Sequence, residues 1–213
     1  MNANDKGAAA CPDAIPAGAE ELSLEHDAPG AFALLLQEGV FVPSSRDVSV
    51  HDFLCSFLEV DGRYLDERVR TVFLNGLAMD GLDSATLAPG DRLALSGTLP
   101  GLAGAVLRRG GFYAGMRESV TFSPRQARPG QGDFLVTVRF FNVVGADLAG
   151  RILSRGVFLN AAALAEFLRG RPPGFLTSAR LSCTGAMTAQ GKDDVLQALA
   201  GCAGIVNLRV WRP

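Results

Sequence analysis

The sequence predicts an α+β fold in two domains, and three observations carry that prediction. Val69 to Leu74 is a run of β-branched and aromatic residues that closes on Asn75-Gly76, a strong turn signal. Pro89-Gly90-Asp91 then delivers the chain into a second strand, the apolar Arg92 to Ser96. Beyond residue 132 the pattern starts afresh, with extended and helical segments leading to a closing strand at Ile205 to Trp211.

Taken in order, residues 1–28 are rich in Ala, Pro and acids without periodicity and read as a disordered tail. They lack the basic start and apolar core of a secretory signal. The first domain spans residues 29–105. Phe32 to Gln37 is expected as a strand that turns at Gly39 into Val40-Phe41-Val42, making a hairpin. Ser49 caps a helix, with Asp52 three positions on. Val50, Phe53, Leu54, Phe57 and Leu58 fall on one face of it, and Gly62 is the expected stop. The two strands that end at Leu74 and Ser96 complete the domain. Gly90 supplies a positive φ for the tight turn, and Asp91 can accept from nearby backbone amides.

Residues 106–132 form a connector. The stretch 100–132 is dense in Gly and Pro and holds five Arg against one Glu. The second domain, 133–213, opens with Phe134 to Val144, which alternates well and is expected to form a hairpin with Ser119 to Phe122 across Pro129 to Gly132. Asp147 caps a helix running to Arg155 and stopping at Gly156. Val157 to Leu159 is extended, and Asn160 caps a helix whose buried face is Leu164, Phe167 and Leu168. Pro172-Pro173-Gly174 breaks the chain. Ala179 to Thr184 is a strand, Asp193 begins a helix to Leu199, and Ile205 to Trp211 closes the domain. The last strand–helix–strand suggests half of a ferredoxin-like sandwich.

The order hairpin, helix, strand, short crossover, Gly-Asp, strand resembles the β-grasp domain of ubiquitin-like sulfur carriers. These are the small subunit of molybdopterin synthase and the thiamine-biosynthesis sulfur carrier. The resemblance rests on Leu74-Asn75-Gly76 and on Leu87-Ala88-Pro89-Gly90-Asp91, and covers about residues 30–102. It implies a ubiquitin-like fold. In the family the chemistry resides in a free C-terminal Gly-Gly, whose carboxylate becomes a thiocarboxylate. Here Gly101 falls where the first Gly belongs and Leu102 where the second belongs, and the chain runs on. Leu107-Arg108-Arg109-Gly110-Gly111 looks like a ubiquitin-type ending a few residues late. Cleavage after Gly101 or Gly111 would create a carrier-like tail.

Charge is divided unevenly along the chain. Residues 1–28 hold one Lys against six acids, 29–105 hold five Arg against ten acids, and 106–213 hold fourteen basic residues against six acids. The basic second half suits an anionic partner, or complements the acidic first half. Arg108, Arg109 and Arg117 are the candidate anion-binding residues. Phe112 and Tyr113 beside them would suit stacking on a ring or base. The glycines there have no phosphate-loop spacing.

Other chemistry finds little footing. Four cysteines, none in Cys-x-x-Cys spacing, argue against a disulfide framework or zinc site and suit a reducing cytoplasm. His26 lies in the tail and His51 on a helix surface, with no ligand spacing. Cys183 near a strand end has a nucleophile reading beside the blander one of a buried strand thiol. Asp80 and Asp83 read as turn chemistry. No run of roughly 20 apolar residues is present to span a membrane.

These observations make a non-enzymatic binding or interaction protein the leading expectation, with no cofactor and no metal. Its partner would be a protein or a small anionic ligand, with nucleic acid ranked lower and no membrane contact. The alternative is a sulfur-carrier precursor activated at Gly101 or Gly111. An enzyme has only Cys183 and the Arg cluster in its favour.

Overall fold

A computed structural model describes residues 11, 12, 14–122, 132–176, 178–182, 186–189, 191–202 and 204–212. The chain is a mixture of helices and strands. Its first half contains β1 (Glu20–Glu25), α1 (Ala33–Glu38), β2 (Val40–Ser44), α2 (Val50–Leu58), α3 (Gly62–Arg68), β3 (Thr71–Leu74), β4 (Leu77–Ala78), β5 (Arg92–Ser96) and α4 (Gly101–Leu107). The second half contains β6 (Phe134–Phe141), α5 (Asn142–Arg155), β7 (Val157–Asn160), α6 (Ala161–Arg169), β8 (Ser178–Ser182), β9 (Ala186–Ala189), α7 (Lys192–Gly201) and β10 (Ile205–Trp211). Among the described residues no helix is long and apolar enough to cross a membrane.

The chain divides into two compact units, one built from Pro16–Val40 with Ala149–Pro213 and the other from Phe41–Leu148. In the second of these the strands lie in the order β4-β3-β5-β6-β2. β3 runs antiparallel to β4 and β5, and β5 runs parallel to β6, with Leu93 beside Val138 and Leu95 beside Phe140. In the other unit the order is β7-β10-β1-β8-β9. There β1 is parallel to β10 and antiparallel to β8, and β8 and β9 form a hairpin. Each unit therefore centres on a parallel pair taken from both halves of the chain.

The two halves also repeat a local design. α1 ends at Gly39 (φ 115°) and leads into Val40-Phe41-Val42, while α5 ends at Gly156 (φ 96°) and leads into Val157-Phe158-Leu159. In both cases a glycine in the left-handed half of φ space stops the helix and releases a buried strand. A second helix, α2 or α6, follows each strand.

Several sequence expectations match the structure closely. Ser49 Oγ accepts from Asp52 N at 3.0 Å and starts α2, whose buried face is Val50, Phe53, Leu54, Phe57 and Leu58. Asn75 (φ 53°) and Gly76 (φ 83°) form the two-residue turn between β3 and β4. Asp91, 4% exposed, accepts from Ala88 N and Asn75 Nδ2, each at 2.9 Å, and Gly90 beside it has φ 76°. β5 and β10 occupy the expected residues.

Others are corrected. Glu20–Glu25, expected in a disordered tail, is strand β1, because Leu22 and Leu24 alternate into the core at 1% and 0% exposure between acids that point outward. His26 leaves the tail with it and packs on Phe32 and Phe175, with ring centroids 5.4 and 4.6 Å away. Phe32 to Gln37 is not a strand. Pro29–Phe32 is a 3₁₀ turn that runs into α1, and its apolar run buries Phe32, Leu35 and Leu36 at helical spacing. Gly62 does not stop a helix. α2 ends at Glu59 in the left-handed region, and Gly62 begins α3 after Asp61, whose Oδ1 accepts from Tyr64 N at 2.9 Å. The expected hairpin of Ser119 to Phe122 with Phe134 to Val144 does not form. Phe112–Val120 is a kinked 3₁₀ segment, and β6 pairs with β5 instead. In the terminal unit β1 lies between β10 and β8.

Candidate functional site

The Phe41–Leu148 unit carries an open cleft of about 390 Å³. Its charged lining is His51 from α2, Asp66 from α3, Arg70 before β3, Asp80 and Asp83 after β4, and Arg109 after α4. Val69 and Leu82 give it an apolar side.

The Arg108-Arg109-Gly110-Gly111 segment is bound into this cleft. α4 turns the chain back on itself through a close approach at Gly104, where a Cβ would sit 1.8 Å from the Leu99 carbonyl oxygen. The chain then docks. Arg109 N donates to Arg70 O at 2.8 Å, and Arg109 Nη2 donates to Leu65 O at 2.8 Å and to Asp66 Oδ1 at 2.9 Å. Gly110, at φ 59°, donates its N–H to Asp80 Oδ1 at 2.8 Å. Gly111 N donates to Arg108 O at 3.1 Å.

Behind the segment lies Arg117, whose guanidinium is used entirely inside the protein. Nε donates to Val106 O at 2.9 Å, Nη1 to Thr121 Oγ1 at 3.2 Å and Ala78 O at 3.4 Å, and Nη2 to Asp80 Oδ1 at 2.5 Å. Its side chain is 1% exposed. A planar five-donor group fits such a surround of carbonyls and a carboxylate better than a lysine ammonium would.

Arg70 stands differently. One N–H is donated to Asp66 O at 2.7 Å. Burial, followed by the like charges of Arg108 and Arg109, holds its pKa below the usual guanidinium value, with Asp66 opposing. It remains charged at neutral pH. Arg70 and Arg109 line the cleft, and Arg108 is exposed beside it.

On the α2 side, His51 Nδ1 lies 3.4 Å from Asp52 Oδ1 and 3.8 Å from Asp83 Oδ1. Its Nε2 lies 3.8 Å from Cys55 Sγ. Burial and the carboxylates of Asp52, Asp61, Asp83 and Asp66 raise the Cys55 pKa, which favours the neutral thiol. Among the described residues no cluster of three or more His, Cys, Asp or Glu could hold a metal ion.

The sequence-derived site residues thus fall into separate places. Arg109 lines the cleft, and Arg108 is exposed beside it. Arg117 is corrected from a ligand-binding to a structural residue, because its donors are spent and buried. Phe112 is 95% exposed and Tyr113 44% exposed, and they touch each other edge-to-face at 5.1 Å. Gly101, with φ 70°, is the first residue of α4. Cys183 lies outside the described residues. Arg70, Asp66, His51 and the role of Asp80 had no signal in spacing, since they meet only through the fold.

No protein-family profile, curated protein or solved structure matches the chain.

Proposed function

We propose that the chain is a non-enzymatic binding module and that its Phe41–Leu148 unit takes a small anionic ligand in the cleft. The observation that carries this reading is the grouping of Arg70, Arg108 and Arg109, in which only Arg109 has a carboxylate partner among the described contacts. Arg70 is half-buried, so its interaction with an anion is screened less than that of a surface guanidinium. Isothermal titration with inorganic phosphate tests it. The wild type should bind with affinity that falls as salt rises, and Arg70→Gln combined with Arg108→Gln should weaken binding at least tenfold. Equal affinity in the double variant overturns the reading.

The fold reading that accompanies it is a β-grasp variant. In the order β4-β3-β5-β6-β2, the parallel pair β5–β6 is central, with β3 antiparallel to β5 on one side and β2 next to β6 on the other, and α2 and α3 lie between β2 and β3 in sequence. β6 would then take the place of a first strand. This layout favours the sulfur-carrier precursor as a second reading. The docking of Arg109 and Gly110 weighs against it, since a carrier tail must project freely. The intact mass of protein from its own cells separates the two. A fragment ending at Gly101 or Gly111 supports the precursor, and the full 22.4 kDa chain supports the binding module.

A further inference from the structure

The cleft offers two uncommitted groups of opposite sign. Beyond the bond to Asp66 O, the guanidinium of Arg70 has no further partner among the described residues. Of the three carboxylates lining the cleft, Asp66 is held by Arg109, and Asp80 by Arg117 and the Gly110 N–H. Asp83 differs. It is 80% exposed, and among the described contacts its carboxylate has the His51 ring at 3.8 Å and no other partner. Asp83 and His51 can both accept from a cation when the imidazole is neutral. Between the charged groups, Val69 and Leu82 present apolar surface. A volume of about 390 Å³ is near the lower end of small-molecule sites, which run from roughly 300 to 1,000 Å³.

We propose that the ligand is a small free zwitterion, a phosphate- or carboxylate-type anion held by Arg70 and Arg108 and joined by a short aliphatic link to a primary ammonium held by Asp83. The assignment rests on the anion-binding reading above and adds the second end of the ligand. A simple anion would leave Asp83 facing the ligand unpaired, and like charge in a shared cleft opposes binding. An ammonium group removes that repulsion and supplies three donors.

The test is titration calorimetry with three probes: inorganic phosphate, ethanolamine and O-phosphoethanolamine. O-phosphoethanolamine should bind roughly tenfold more tightly than phosphate, the step expected from about 1.4 kcal/mol. Ethanolamine alone should give no measurable heat. Asp83→Asn, at an exposed position that leaves folding intact, should bring O-phosphoethanolamine down to the level of phosphate measured on the same variant, while phosphate itself binds more tightly than to the wild type because the like charge is gone. Equal affinity for phosphate and O-phosphoethanolamine, or no effect of Asp83→Asn, overturns the zwitterion while the anion site stands. Absence of phosphate binding in the wild type overturns both. The same head group occurs in lipid, so vesicles of phosphatidylethanolamine in phosphatidylcholine form a further arm. No co-sedimentation is expected, and co-sedimentation without binding of the free compound overturns the assignment to a soluble ligand.

Discussion

Arg117 Nη2 lies 2.5 Å from Asp80 Oδ1, joining a side chain that is 1% exposed to a carboxylate that is 41% exposed at the cleft. The same Asp80 oxygen accepts from Gly110 N. One carboxylate therefore neutralises a buried cation and fixes the backbone that carries Arg109. Removing one partner of a buried pair costs more than the pair contributes, because the remaining charge is left desolvated. Asp80→Ala should destabilise the protein by about 3 kcal/mol. Asp80→Asn, which keeps an acceptor but not the charge, should fall between it and wild type. Urea midpoints at constant slope check both.

Asp91 is the corresponding anchor of the β3–β5 side. Its carboxylate satisfies Ala88 N and Asn75 Nδ2, while Asn75 Oδ1 accepts from Arg92 N at 3.0 Å. Asp91→Ala leaves two donors without partners at a buried position, at a cost of about 1–3 kcal/mol for each donor left buried. The variant should lose about 1–3 kcal/mol of stability through the buried Ala88 N–H alone, read from its urea midpoint at constant slope.

A strand exchange makes a further prediction. β6 pairs with β5 and β1 pairs with β10, so each central parallel pair needs residues from both halves of the chain. Fragments 1–132 and 133–213, produced separately, should each lack cooperative unfolding, because each leaves a strand of a parallel pair without its neighbour. Mixing them should restore a cooperative transition. Independent folding of either fragment contradicts the pairing.

That exchange also explains what the sequence could and could not reveal. β5 and β10 were legible from alternation and from Pro89-Gly90-Asp91, and α2 from Ser49 and its apolar face, because those signals are local. Phe32 to Leu36 was ambiguous, since a short apolar run fits either a helix or a strand until burial decides. β1 was hidden because acids flank both of its core leucines. The pairing of β6 with β5 spans about 40 residues and leaves no local trace. At the site, Arg109 stood out by its Arg-Gly context, yet Arg70, Asp66 and Asp80 come from separate elements and have no shared spacing.

Cys55 gives a pH prediction. Its pKa is raised by burial first, then by Asp52, Asp61, Asp83 and Asp66. The folded protein therefore holds the thiol proton more tightly than the unfolded chain does. This contribution to stability is complete below the unfolded thiol's pKa and is lost as pH rises through the folded value. Peptide-resolved alkylation with iodoacetamide should show Cys55 reacting more slowly near pH 8.5 in the folded protein than in urea, with its rate midpoint shifted to higher pH. Equal midpoints would remove the acidic surround from the account.

The most direct test of the anion site is a titration of uniformly ¹⁵N-labelled protein with inorganic phosphate, followed by backbone amide shifts. The account predicts saturable changes centred on Arg70, Gly81, Arg109 and Gly110, absent in the Arg70→Gln, Arg108→Gln double variant. Shifts that do not saturate, or that centre away from this cleft, would contradict it.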